Sequence, residues 1–201
     1  MRKPLIWSIL DANPNQMKPV ILAIIVVTCS IDLCAQGVFS NGTNTALERV
    51  IQDYPNQFRN IKGAMVIQNA RATDFESSVK IPGSQSCIVS QSNSSGSAVS
   101  WKAELFTSAS FSDASHKYTE FYNQVKNTVI KIQGAKPYIL TGQYSVPDKN
   151  KSYQAIVLNM LPAAGELQKI KVEISLEQQG SSWKLQLSIY DDADQQLVGN
   201  Q

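Results

Sequence analysis

Residues 169–189 read KIKVEISLEQQGSSWKLQLSI, and the fold turns on this stretch. Ile170, Val172, Ile174 and Leu176 alternate with Lys169, Lys171, Glu173, Ser175 and Glu177. Trp183, Leu185, Leu187 and Ile189 alternate in the same way with Lys184, Gln186 and Ser188. A period of two sends apolar and polar side chains to opposite faces of a strand. Gln179-Gly180-Ser181 supplies the hairpin loop between them. Two such strands joined by a short loop predict an antiparallel ladder, one face on a core and the other facing water or a partner.

Similar patterns recur upstream. Phe75, Val79 and Ile81 alternate with Glu76, Ser78 and Lys80, and Val99, Trp101, Ala103 and Leu105 alternate with Ser100, Lys102 and Glu104. Tyr138–Val146 and Tyr153–Leu161 read as strands with both faces partly apolar, and Cys87-Ile88-Val89 is a short apolar run. The polar run Ser90–Ser97 predicts a loop between two strands. Two stretches carry helical spacing instead. Thr45-Ala46-Leu47-Glu48 has the form of a capping box, and Leu47, Val50, Ile51 and Tyr54 follow on one face. Phe58 and Ile61 continue that face past Pro55, and Gly63 stops it. From Ser112-Asp113, the residues Ala114, Tyr118, Phe121, Tyr122, Val125, Val129 and Ile132 form a second apolar face, with Gly134 as the stop. The two faces align at an offset of 71 residues and both end in Ile-x-Gly-Ala, which suggests an internal αβββ duplication. The fold expected is α+β: two amphipathic helices packed on an antiparallel sheet of about six to seven strands.

The N-terminus points to an address. Nearly every residue from Val20 to Cys29 is apolar, Lys18 precedes the run and Asp32 ends it. That is the length of a signal-peptide core, of about 7–15 residues, and short of the roughly 20 needed to span a bilayer. Leu33-Cys34-Ala35-Gln36 offers a small-residue cleavage site after Ala35, before Gln36, and Met17 is a second possible start. The division expected is a secretory signal over 1–35, a Gly/Asn/Ser/Thr-rich leader over 36–44, one α+β domain over 45–190 and an acidic tail over 191–201. The product is then periplasmic or extracellular, or anchored in the inner membrane if the signal is not cut. Neither Cys29 nor Cys34 follows the residues that lipidation requires. Cleavage leaves Cys87 as the one cysteine, without a disulfide, and its apolar neighbours predict a core position.

The chain's chemistry is bounded by what it lacks. It has 201 residues, 43% hydrophobic and only 17% charged, with a net charge of +2; a basic stripe for nucleic acid is missing. The single histidine, His116, stands four residues before Glu120 on the polar side of the second helix, and one histidine with so few cysteines supports neither zinc nor Cys-His chemistry. Ser77–Lys80 and Ser181–Lys184 match Ser-x-x-Lys, but both lie at strands, where residues three apart point to opposite faces. No nucleophile elbow, phosphate loop or dinucleotide fingerprint occurs, and no cofactor is expected. Asp191, Asp192 and Asp194 cluster only in the tail. Trp101, Tyr144, Tyr153 and Trp183 are the aromatic residues that could line a groove for a sugar or peptide, although burial claims most aromatics in a domain this small.

These features favour an exported, non-catalytic module that binds a protein or small ligand of the cell envelope and touches the membrane only through its signal. An envelope hydrolase with dispersed catalytic residues is the rival, and a tethered structural protein the third possibility. A deep pocket with two titration-shifted polar groups would favour the rival; a flat exposed apolar sheet face would favour the module.

Overall fold

The strand patterns close into a single nine-stranded sheet, seen in a computed structural model that describes residues 38–93, 98–132 and 134–191. The signal, its cleavage point and the tail beyond Asp191 lie outside the described residues. In chain order the elements are α1 (Val38–Asp53), β1 (Lys62–Gln68), β2 (Ala72–Ser77), β3 (Ser86–Ser92), β4 (Val99–Ser108), α2 (Phe111–Val125), β5 (Val129–Ile130), β6 (Tyr138–Thr141), β7 (Tyr153–Leu161), β8 (Ile170–Gln179) and β9 (Ser182–Asp191). Every paired neighbour is antiparallel, in the order β1-β2-β3-β4-β9-β8-β7-β6-β5. Each helix is thus followed by a meander, and the last strands of the two meanders, β4 and β9, meet at the centre. The α+β class with its antiparallel sheet is as expected; the strand count is nine rather than six to seven.

The core lies on one face. The alternating residues of the decisive hairpin, Ile170 to Leu176 and Trp183 to Ile189, are buried with Leu47, Val50 and Ile51 of α1 and with Ala114, Tyr118 and Val125 of α2. Trp101 is wholly buried, and its indole N–H donates to Ser77 Oγ at 2.9 Å. The Ser77 hydroxyl in turn donates to the Val79 carbonyl at 2.9 Å, so this polar pair is satisfied within the apolar interior. Helix α2 is capped by Ser110, whose hydroxyl accepts from Asp113 N at 3.3 Å, a contact of a kind worth ~1 kcal/mol.

Tertiary contacts move several boundaries. Helix α1 begins at Val38, so Thr45 lies inside it rather than at its cap, and residues 38–44 of the expected leader are helical. Gly, Asn and Thr are poor helix formers, but here tertiary partners hold them. Gln124 Nε2 donates to the buried Thr43 at 3.0 Å, and Thr128 Oγ1 donates to Asn44 Oδ1 at 3.1 Å. Gly42 packs so close to Pro82 that a Cβ there would lie 2.8 Å from its ring. Helix α2 ends at Val125, not near Gly134. Asn127 turns left-handed at φ 63° and its N–H donates to the Leu140 carbonyl at 2.9 Å, so the chain leaves the helix to pair as β5. Strand β2 stops at Ser77, and Val79 and Ile81 are buried in a turn instead.

Candidate functional site

The face of the sheet opposite the helices is the candidate surface. Side chains at odd positions of β7 and β8 and at even positions of β9 point to it, and the ladder sets them in rows. One row runs Val157, Glu173, Ser188, Lys102 and Ile88 across β7, β8, β9, β4 and β3. The next runs Ala155, Ser175, Gln186, Glu104 and Ser86. Lys184 bridges to Glu104 at 3.0 Å, tying β9 to β4 on this face.

At its centre is Glu173, only 8% exposed although no helix covers it. Tyr153 donates its hydroxyl to one carboxylate oxygen at 2.5 Å, and Tyr190 donates to the other at 2.8 Å. Ser175 and Ser188 beside it are small and buried, which lets the tyrosine rings lie down over the sheet. Burial and the hydrogen bond to Glu173 push the Tyr153 phenol well above its ordinary range, so it stays a neutral donor. Both carboxylate oxygens are thus engaged by phenol hydroxyls.

Beyond this cluster comes a polar row, Thr141, Asn159 and Lys171, and after it an apolar one. Val129, Ile139 and Leu161 are ladder neighbours on β5, β6 and β7, each between 45% and 48% exposed. Val157 and Tyr153 extend the exposure along β7.

The four aromatics singled out from the sequence do not converge. Trp101 and Trp183 are on the helix side, in the core; Trp183 packs edge-on against Phe111 at 4.9 Å. Tyr144 lies against α2, its ring 5.0 Å from Tyr122 and its hydroxyl 2.8 Å from Thr119 Oγ1. Tyr153 alone of the four stands on the uncovered face. Glu173 and Tyr190 were missed by sequence reasoning because each occupies an ordinary polar or terminal position of a strand. Their signal was the odd-even alternation itself, which places each on the polar face of its strand; the ladder then sets that face beside Tyr153.

Cys87 is buried, with Sγ 3.2 Å from Ser84 Oγ, and His116 is exposed with Nδ1 4.0 Å from Glu120 Oε2. Among the described residues no three His, Cys, Asp or Glu side chains gather as metal ligands, and no helix is long and apolar enough to cross a membrane. An open hollow of about 390 Å³ lies beside the turn after α1, lined by Pro55, Asn56, Gln57, Arg59 and Asn60. It holds neither a nucleophile nor a carboxylate. Comparison with protein families, with curated proteins and with solved structures returns no match.

Proposed function

We propose that the protein is an exported, non-catalytic binding module that meets a protein or small ligand of the cell envelope through the uncovered face of its sheet. The observation that carries this reading is the exposed row Val129, Ile139 and Leu161 at one side of the sheet, with Val157 and Tyr153 exposed on the same face beyond the polar row Thr141, Asn159 and Lys171. A clustered row of exposed apolar side chains is characteristic of contact surfaces. Export rests on the signal-like N-terminus. The test is mass analysis of the chain isolated from its own host envelope, native and then denatured. A denatured mass beginning at Gln36, with extra native mass that the double variant Ile139→Asp/Leu161→Asp loses, is the expected result. A chain still carrying residues 1–35, or native mass equal to the bare chain, overturns it.

The same reading includes an internal duplication, in a form different from αβββ. Ser100-Trp101-Lys102-Ala103-Glu104-Leu105 and Ser182-Trp183-Lys184-Leu185-Gln186-Leu187 share Ser, Trp, Lys and the final Leu. They occupy the two central strands, and their antiparallel pairing sets Trp101 opposite Ile189 and Trp183 opposite Ser108. On this reading a two-fold between β4 and β9 would relate two units of one helix and a four-stranded meander, with β5 as an addition to the second; the order of the strands supports it. A permuted chain that starts at Ser110 and joins Asp191 to Val38 by a short linker exchanges the two units. It should fold with the parent's fluorescence; failure to fold would sink the duplication.

A further inference from the structure

The two edges of the sheet differ. Strand β5 closes one side with two residues, whereas β1, at the other, runs seven residues from Lys62 to Gln68 with only β2 beside it. Among the described residues, no strand faces its outward backbone groups. Every residue from Gly63 to Gln68 is exposed, with Met65, Val66 and Ile67 at 58%, 57% and 55%. Exposed edges are ordinarily blunted by charge, proline or a covering segment. No charged residue and no proline occurs between Gly63 and Ala70.

The register of β1 against β2 shifts twice, so Met65 stands opposite Phe75 on the helix side while Ile67 stands opposite Asp74 on the uncovered side. Apolar surface therefore projects to both faces of the edge at once. A helix or a flat surface can cover one face; an extended strand satisfies the backbone ladder and both faces together. The charges around the strand select among such strands. Arg59 and Lys62 flank its start and Arg71 its end. Lys62 Nζ sits 4.4 Å over the Phe75 ring, and Arg59 is bonded to Gln57 at 3.1 Å rather than to an acid. Of the nearby acids on β2, Glu76 is paired with Lys80 at 2.8 Å and Asp74 lies behind Ile67. A second copy fits badly: antiparallel self-pairing that sets Lys62 opposite Gln68 brings the turn carrying Arg59 of each copy beside the bend carrying Arg71 of the other, and crowding like charges is destabilising.

We propose that β1 is a docking edge that takes an extended peptide segment as a tenth strand, and that this segment has an uncharged apolar centre and carboxylates at both ends. The inference concerns the edge and not the uncovered face, so its variants are separate from Ile139→Asp/Leu161→Asp and the two readings fail independently.

The experiment uses the full chain and two fluorescein-labelled peptides with the same five-residue Val/Thr centre, one flanked by two glutamates on each side and one by two lysines. Anisotropy should show saturable binding of the glutamate peptide and at least tenfold weaker binding of the lysine peptide. Lys62→Glu/Arg71→Glu should reverse that preference. Val66→Pro, which puts a ring in the middle of the exposed edge strand, should weaken the glutamate peptide at least tenfold. Ile67→Lys should do the same with unchanged tryptophan fluorescence, and guards against a proline variant that fails to fold. Equal binding of both peptides, or binding indifferent to Ile67→Lys, overturns the proposal. A dimer in sedimentation that Ile67→Lys dissolves assigns the edge to a second copy instead. Peptide affinity that rises tenfold in a chain ending at Asp191 assigns it to residues 192–201 of the same chain; either outcome also overturns the proposal.

Discussion

The ring of Tyr118 is wholly buried beneath α2, yet its hydroxyl makes no hydrogen bond of good geometry. Ser145 is close enough to act on its ionisation, in the opposite direction to burial, which pushes the phenol up to about 12. Taking a hydroxyl from water without a full partner costs roughly 1–3 kcal/mol in proteins. Tyr118→Phe keeps the ring and removes the oxygen; with Ser145 offsetting part of the penalty, the variant should be more stable by about 1 kcal/mol. For a chain of this size that is a rise of ~2–4 °C in Tm. The pH dependence follows from the same burial. Because the folded phenol titrates above the unfolded one, its contribution is complete below pH ~10 and is lost as pH climbs through 12. At ~1.4 kcal/mol per pH unit the ceiling is ~3 kcal/mol, taken at about half for solvent screening. Urea unfolding followed by the fluorescence of buried Trp101 and Trp183, at pH 7, 9 and 11, measures both effects. The variant should gain stability at pH 7 and lose less of it on the alkaline side. A variant less stable than the parent by more than ~1 kcal/mol at pH 7, or with the parent's alkaline slope, refutes the account of an under-bonded, desolvated hydroxyl.

Three further outcomes are expected. Gly142→Ala places a Cβ 2.5 Å from the Val157 carbonyl and 2.7 Å from Leu158 Cδ2; because backbone must move, a loss of roughly 2 kcal/mol or more should appear in thermal unfolding, as for overpacked sites. Ser77→Ala leaves the Trp101 indole N–H without its acceptor and should cost about 1–3 kcal/mol, with a shifted tryptophan emission; unchanged emission and stability would mean the bond contributes nothing. Cys87→Ser puts a hydroxyl where a buried thiol sits 3.2 Å from Ser84, and should cost about 1–2 kcal/mol while leaving binding intact. Loss of binding at parental stability would instead make the thiol functional.

The candidate surface was only half legible in the sequence. Alternation along β8 and β9 assigns Glu173 and Tyr190 to the polar faces of their strands, because the period of a strand is fixed by its backbone. It does not say that three strands bring their hydroxyls and carboxylate within 2.5–2.8 Å; that depends on register, and on the small Ser175 and Ser188 that leave the rings room. Strand β1 had no legible signal at all. Its five residues Gly63 to Ile67 show no alternation, since an edge strand exposed on both faces has no buried side to impose one.

By itself, the sequence determined the local grammar: two amphipathic helices, the paired strands of residues 169–189 and the absence of any compact catalytic motif. Those features are legible because they rest on backbone periodicity and on contacts a few residues apart. Tertiary structure decided the rest. It drew residues 38–44 into α1 through Thr43 and Asn44, and it cut α2 short at Val125 by offering Asn127 and Thr128 a strand partner in β6. It also placed the two Trp-bearing strands side by side at the centre of the sheet and left β1 at its rim. Such choices depend on contacts between residues far apart in the chain, 84 positions for Thr128 and Asn44 and more for Trp101 and Ile189 of the β4–β9 ladder, whose free energy outweighs the few tenths of a kcal/mol per residue that set local preference.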